Sequence, residues 1–414
     1  MAAESLNIYS PVMYDESVIN YEIHSYQPYN LTRFQNNDEI CIAIQNQDLN
    51  ILPSRSSLRI VGQISKKDGS PVARTWLTNN AIMFLFEKIA YKLNAVEIDC
   101  CRHVGLTTLM KGLVSFTNGQ SNSLLNSGWM KYEDESDNAT NTLINEAGKF
   151  DVNIPLSMIL GFAEDYKKIV VNAKHELILT RTSSDADAVL QTAASDVYEP
   201  FKIQIDKIEW LMPHLELSNE LKVKMLRQLE HNKPIAMSFR SWEMQEYPAL
   251  PQSKEQVWTV KTSNQLEKPR FVIVGFQTNR RTNTNPSSRF DACKLSFVKL
   301  SLNSKCYPYT DMNVSSENNH WSQWYDMYAN FQCAYYGKEN SEPLLSRSQF
   351  KNYAPLTVID CSKQSEYLKN ATIDMKLKFS AGDNFPKNTA AYCLILHDTI
   401  VQYHPLSGEV KRTF

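Results

Sequence analysis

The sequence has no basic excess: 43 Lys and Arg stand against 45 Asp and Glu, for a formal net charge of −2. A chain that neutralises phosphates needs such an excess, so intimate coating of nucleic acid or of an anionic membrane is not expected, and no specific nucleic-acid partner is assigned. Long hydrophobic runs are missing as well. The longest clean one, Ala81 to Phe86, ends at Glu87. A spanning helix needs about 20 apolar residues, so no membrane span is expected. The opening MAAESLNIYSPVMYDESV has neither the basic nor the apolar region of a signal peptide. The eight cysteines show no CxxC spacing, which reads as free thiols in a reducing compartment.

Catalytic signatures are also lacking. The histidines are His24, His103, His175, His214, His231, His320, His397 and His404, and no two of them are spaced as the His-x-His pair of a cupin metal site. His397-Asp398 could suggest a dyad, but Asp398 reads as the start of a turn. No GxSxG, HExxH, GxGxxG or GxxxxGK[ST] occurs. Glu133, Asp134 and Glu135 read as a solvated acidic loop. Arg280, Arg281 and Arg289 sit among Asn and Ser without interleaved aromatics, so they read as an exposed loop and not a base-stacking platform. No catalytic, cofactor-binding or metal-ligating residue is assigned, and no cofactor is expected.

What is present is a chain of 414 residues, 43% hydrophobic, enough for two sandwich domains of roughly 200 residues or fewer. Short β-branched and aromatic runs dominate from Glu39 onward: EICIAI (39–44), SLRIVGQI (57–64), EKIAYKLN (87–94), KHELILT (174–180) and FKIQIDKIEWL (201–211). Asn, Ser and Pro clusters separate them, the signature of a β-sandwich and not of alternating strands and helices. Three segments carry helical periodicity instead. They are 105–116 (Leu106, Leu109, Met110, Leu113, Val114), 318–331 (Trp321, Trp324, Tyr325, Tyr328, Phe331) and 218–232 (Leu221, Met225, Leu229). Ser218 is placed to cap the last of these, and Glu220 with Lys224 to form an i, i+4 pair. The aromatic stripe of 318–331 is expected to pack in the core.

A weak duplication links the two halves. KIAYKLN (88–94) and FVKLSLN (297–303) both end in Leu-Asn, and an amphipathic helix follows each. FDVNIPLSMIL leading to ELILTRT has its counterpart in LTVIDCS leading to DMKLKFS. FKIQIDKIEWL (201–211) likewise matches YCLILHDTIVQY (392–403). The helix at 218–232 falls between the copies, where a linker belongs, and the tyrosine-rich residues 1–35 read as an N-terminal arm.

These segments resemble one family. KIAYKLNAVEID, GLTTLMKGLVSF, SLLNSGWM and FDVNIPLSMILGFAEDYKKIVVNAKHELILTRT are similar to the first half of double jelly-roll major capsid proteins. The second half, KPRFVIVGFQTNRRTNTNPSSRFDACKLSFVKLSLNSKCYP through AAYCLILHDTIVQY, most resembles the capsid proteins of Maverick/Polinton elements and adintovirus-type viruses of animals. The resemblance covers roughly residues 36–414 and is one of strand order and turn residues. It implies an all-β fold of two tandem eight-stranded antiparallel jelly rolls with a few short helices in the connections. The expected division is 1–35 arm, 36–217 first jelly roll, 218–232 linker helix and 233–414 second jelly roll. It also implies a structural protein and not an enzyme. Three copies would form a pseudo-hexameric capsomer tiling an icosahedral shell, with a single jelly-roll penton protein and minor capsid proteins as partners. The chain would then reside in the virion, made and assembled inside the host cell. The competing readings are a non-viral tandem β-sandwich binding module of lectin or adhesin type, which should carry a signal peptide and often disulfides, and a bicupin enzyme, which the histidine spacing disfavours.

Overall fold

The computed structural model describes residues 17–29, 34–45, 50–130, 143–191, 199–231, 233–261, 268–280, 285–303, 305–310, 312–315, 318–363 and 373–413. The acidic residues 133–135, Arg281 and residues 1–16 of the expected arm lie outside these.

Strict alternation builds the strands. In Ser57–Lys66, Leu58, Ile60, Gly62 and Ile64 point inward and their neighbours outward; His175–Arg181 alternates the same way. The first half contributes β1 (Val18–Tyr26), β2 (Glu39–Ile44), β3 (Ser57–Lys66), β4 (Phe86–Leu93), β5 (Val96–Arg102), β6 (Lys149–Pro155), β7 (His175–Arg181) and β8 (Phe201–Leu217). The second contributes β9 (Ile235–Tyr247), β10 (Glu255–Val260), β11 (Pro269–Thr278), β12 (Leu295–Leu302), β13 (Lys305–Tyr307), β14 (Thr357–Asp360), β15 (Met375–Ala381) and β16 (Thr389–Tyr403). The helices are α1 (Val104–Ser115), α2 (Gly161–Asp165), α3 (Asn219–Glu230), α4 (Ser322–Ala329), α5 (Phe331–Tyr336) and α6 (Arg347–Tyr353).

The first half pairs its strands in the orders β1-β8-β3-β6 and β2-β7-β4-β5; the second in the orders β9-β16-β11-β14 and β10-β15-β12-β13. Adding eight to each label of the first half reproduces the second. Every pairing is antiparallel. These are two eight-stranded jelly rolls of one topology, joined in tandem, and among the described residues no sheet mixes strands of the two. Short strands decorate this frame, with Asn50–Ile51 on β8 and Val410–Thr413 on β16.

The repeated Leu-Asn has a structural cause. Asn94 and Asn303 each follow the fourth strand of a roll in the left-handed conformation, φ 48° and 53°, where asparagine is tolerated best after glycine. Each then ties its turn to the chain just before the seventh strand. Asn94 donates its N–H to the Lys174 carbonyl (2.9 Å), and its Oδ1 accepts from Lys174 N–H (2.7 Å). Asn303 does the same with Asp374, at 2.9 and 2.8 Å.

Two expectations need correction. Residues 18–26 are not part of an arm: β1 is the outer strand of the first roll, in register with β8 from Val18↔Leu217 to Tyr26↔Trp210. The helix expected over 318–331 is shorter, α4 alone, ending at Asn330; a second helix, α5, starts at Phe331 and runs beyond the expected span. Its aromatic stripe does pack inward, with Trp324, Tyr325 and Tyr328 surrounding Phe350 of α6 at ring separations of 5.6, 5.6 and 4.9 Å. Helix α3 lies between the rolls in sequence and buries none of its side chains. Ser218 occupies the N-cap without a side-chain cap bond, and the ion pair there runs from Lys222 back to Glu216 (3.1 Å). It tethers the rolls and does not cement them. Their apolar cores do that, merging into one continuous cluster.

Candidate functional site

Among the described residues no group of three His, Cys, Asp or Glu side chains is arranged to hold a metal. His175 points into the first roll, where its Nδ1 meets the Tyr91 hydroxyl at 2.5 Å; burial lowers its pKa to about 3 and keeps the ring neutral. His397 and Asp398 both lie within β16, so Asp398 starts no turn; its carboxylate takes Arg270 at 2.5 Å. Arg280 and Arg289 do not form the open loop expected of them. Arg280 pairs with Asp291 at 2.9 Å, and Arg289 lies over the Tyr353 ring at 4.9 Å. All eight cysteines are free thiols, and no helix among the described residues is long and apolar enough to cross a membrane.

The densest polar chemistry sits at the junction of the two rolls. Lys111, on α1, is buried. Its Nζ donates to Ser115 Oγ (2.8 Å) and Glu164 Oε1 (2.9 Å) in the first half, and to the Tyr336 hydroxyl (2.9 Å) in the second. The rings of Tyr335 and Trp242 receive the same ammonium at 4.5 and 4.8 Å. Burial alone would favour the neutral amine, but the Glu164 carboxylate and the Tyr336 hydroxyl outweigh it and hold the Lys111 pKa above the ordinary lysine value. Glu164 also accepts from the Tyr336 and Tyr335 hydroxyls, at 2.5 and 3.1 Å.

Beside it, Arg240 of β9 grips Asp165 of α2. Nη2 and Nε reach the carboxylate at 2.6 and 2.8 Å, the Arg240 N–H at 2.9 Å, and Nη1 donates to the Tyr335 carbonyl at 2.6 Å. The guanidinium lies 3.5 Å from the Tyr335 ring centre. Gly161 makes this approach possible: a Cβ placed on it would stand 1.6 Å from the Arg240 carbonyl oxygen. The last turn of α1 is completed across the junction, where Tyr328 donates to the Leu113 carbonyl (2.9 Å) and Gln332 to the Phe116 carbonyl (3.0 Å). Asp99 of β5 is a buried carboxyl on the same side. Its oxygens accept from Phe162 N–H (2.8 Å) and Cys100 N–H (2.9 Å). Burial nevertheless raises its pKa to about 6, against those bonds and the pull of Arg412 and His397.

The outer surface carries the second notable feature. On β1, Ile19, Tyr21 and Ile23 form an outward row, 61%, 50% and 62% exposed. Val223 and Leu226 on α3 are exposed too. Apolar rows of this kind on an edge strand are commonly interaction surfaces.

Two rolls of identical strand order in tandem, sharing one apolar core and a buried ionic junction, define a double jelly-roll architecture. Residues 75–401 match the model of the double jelly roll-like domain, and the chain belongs to that family. Solved structures repeat the fold. The chain in the cryo-EM structure of the Sputnik virophage aligns with a TM-score of 0.66 at 7% identity, over 99% of this chain and 91% of that one. The PBCV-1 virus capsid gives 0.60 at 10%, over 98% and 99%. The mavirus major capsid protein gives 0.55 at 12%, over 99% and 93%. Among the curated proteins no sequence match is found.

Proposed function

We propose that this chain is a major capsid protein, a structural and not a catalytic subunit. The observation that carries the reading is the strand order: the pairing of β1–β8 recurs in β9–β16, so one chain supplies two rolls of one topology. Three such chains in a ring present six similar units, and the ring closes as a heterologous three-fold assembly. The family membership and the shared fold with virophage, mavirus and PBCV-1 capsid chains support this reading. In it, the trimer is a pseudo-hexameric capsomer of an icosahedral shell from a Maverick/Polinton element or an adintovirus-type virus. A single jelly-roll penton protein and minor capsid proteins complete that shell, and the chain ends in the virion after assembly in the host cell. A net charge of −2 lets many copies tile without strong mutual repulsion. Light scattering behind size exclusion, followed by electron microscopy, tests it. Trimers with hexagonal outlines are expected; a monomer that binds glycan on an array overturns the assignment.

A further inference from the structure

His214 of β8 is 1% exposed and faces the outermost strand of the first roll. Its ring is held between two side chains of β1. On one side the His24 ring stacks on it at 4.2 Å, tilted 27°. On the other the Tyr26 hydroxyl meets its Nε2 at 2.9 Å. Its Nδ1 is buried without a hydrogen-bond partner. The strand so held is the outermost of its sheet, pairs with β8 alone, and turns Ile19, Tyr21 and Ile23 to solvent.

We propose that the His24–His214–Tyr26 stack is an acid-sensitive latch, which fastens β1 to β8 at neutral pH and lets it go on acidification. The reasoning is geometric. A neutral imidazole fits this slot, because Nε2 bonds Tyr26 and Nδ1 needs nothing that the slot lacks beyond one modest bond. A cationic imidazole carries a proton on both nitrogens, and no protein acceptor reaches Nδ1. It would also press against a second imidazole. The groups that face it are few. Glu22, opposite in register, is engaged by His24 at 2.9 Å. Glu216, further along β8, is engaged by Lys222 at 3.1 Å. Behind lies His175, neutral against Tyr91. Asn50 and Ile51, paired alongside, carry no charge.

Burial, with His24 adding to it, lowers the His214 pKa from 6.5 to about 4. Once β1 leaves, the ring regains water. The detached state therefore binds more protons between those values, so attachment is strongest above 6.5 and weakens as pH falls through 4. Linkage over that interval raises the detached-to-attached ratio about thirtyfold at pH 5 relative to pH 8.

Hydrogen–deuterium exchange of the full chain, read by mass spectrometry and corrected for intrinsic rates, measures this directly. Protection over residues 18–26 should drop by about thirtyfold from pH 8 to pH 5, while that over residues 389–403 holds. In His214→Phe, which keeps a ring in the slot but cannot take a proton, the β1 protection should become independent of pH. His24→Phe, which keeps an aromatic ring stacked on His214, provides a second variant and should keep the pH dependence, since His214 alone carries it. A flat wild-type profile overturns the latch. So does an equal loss across 389–403, or a His214→Phe profile that falls as the wild type does.

Discussion

Replacing Gly161 by alanine puts the junction to a direct test. The new methyl would sit 1.6 Å from the Arg240 carbonyl oxygen, 2.8 Å from the carbonyl carbon and 3.2 Å from Trp242 Nε1. Non-bonded heavy atoms settle at about 3.5 Å, so α2 and β9 must part by roughly 2 Å. That displacement takes the Arg240–Asp165 bonds, now 2.6, 2.8 and 2.9 Å, out of hydrogen-bonding range. Overpacking a well-filled site costs about 1–3 kcal/mol, and losing the charge-assisted hydrogen bonds of this partly buried pair costs about 1.5–3 kcal/mol. The two overlap, because backbone retreat relieves the first by incurring the second, and a net loss of about 3 kcal/mol is expected. Urea unfolding followed by tryptophan emission suits the measurement, since Trp242 lies at the affected contact. Gly119→Ala is the matched control: its added methyl meets nothing nearer than the Thr117 hydroxyl at 3.9 Å. A Gly161→Ala midpoint indistinguishable from that of Gly119→Ala would refute the claim that the close approach at Gly161 is needed for the Arg240–Asp165 contact and its contribution to stability.

Two further outcomes are expected. Asp99 titrates near 6 in the folded chain against about 3.9 unfolded, so the folded form holds the extra proton between those values. Its contribution to stability is therefore greatest in acid and is lost as pH rises through 6, by on the order of 3 kcal/mol; Asp99→Asn should flatten this slope in urea midpoints taken from pH 4 to 7. At Asn303, alanine forfeits the bond to Asp374 and strains a residue at φ 53°. A thermal unfolding loss of about 1–3 kcal/mol is expected for Asn303→Ala and a smaller one for Asn303→Gly, which keeps the backbone unstrained; equal losses in both would refute the turn argument.

The strands that the sequence revealed are those with one face dry and one wet. EICIAI and SLRIVGQI alternate because β2 and β3 each turn one side to a core. Strand β1 escaped notice because its short alternation of Ile19, Tyr21 and Ile23 with Asn20, Glu22 and His24 turns the apolar side to solvent, so it marks no core face. The Leu-Asn repeat was visible as spelling, but its meaning as twin left-handed turns needed coordinates. The junction gave the faintest signal. Lys111 reads in sequence as the polar side of an amphipathic helix, while the structure buries that side against the second roll. Its partners Tyr335 and Tyr336 are more than 220 residues away, beyond any local pattern. The only hint was that a lysine stood between Met110 and Gly112 on a helix with little else that is charged.

The bonds from Tyr328 and Gln332 to the end of α1 bear on how the chain is made. Leu113 and Phe116 leave the ribosome long before their donors, which lie 215 and 216 residues downstream. Throughout that interval the nascent first roll has a helix whose closing carbonyls must rely on water, beside a lysine still without Tyr336. The N-terminal half thus matures in its final form only when the rest arrives, and synthesis of a truncated product would leave a sticky, unfinished face at the site where its sibling should dock.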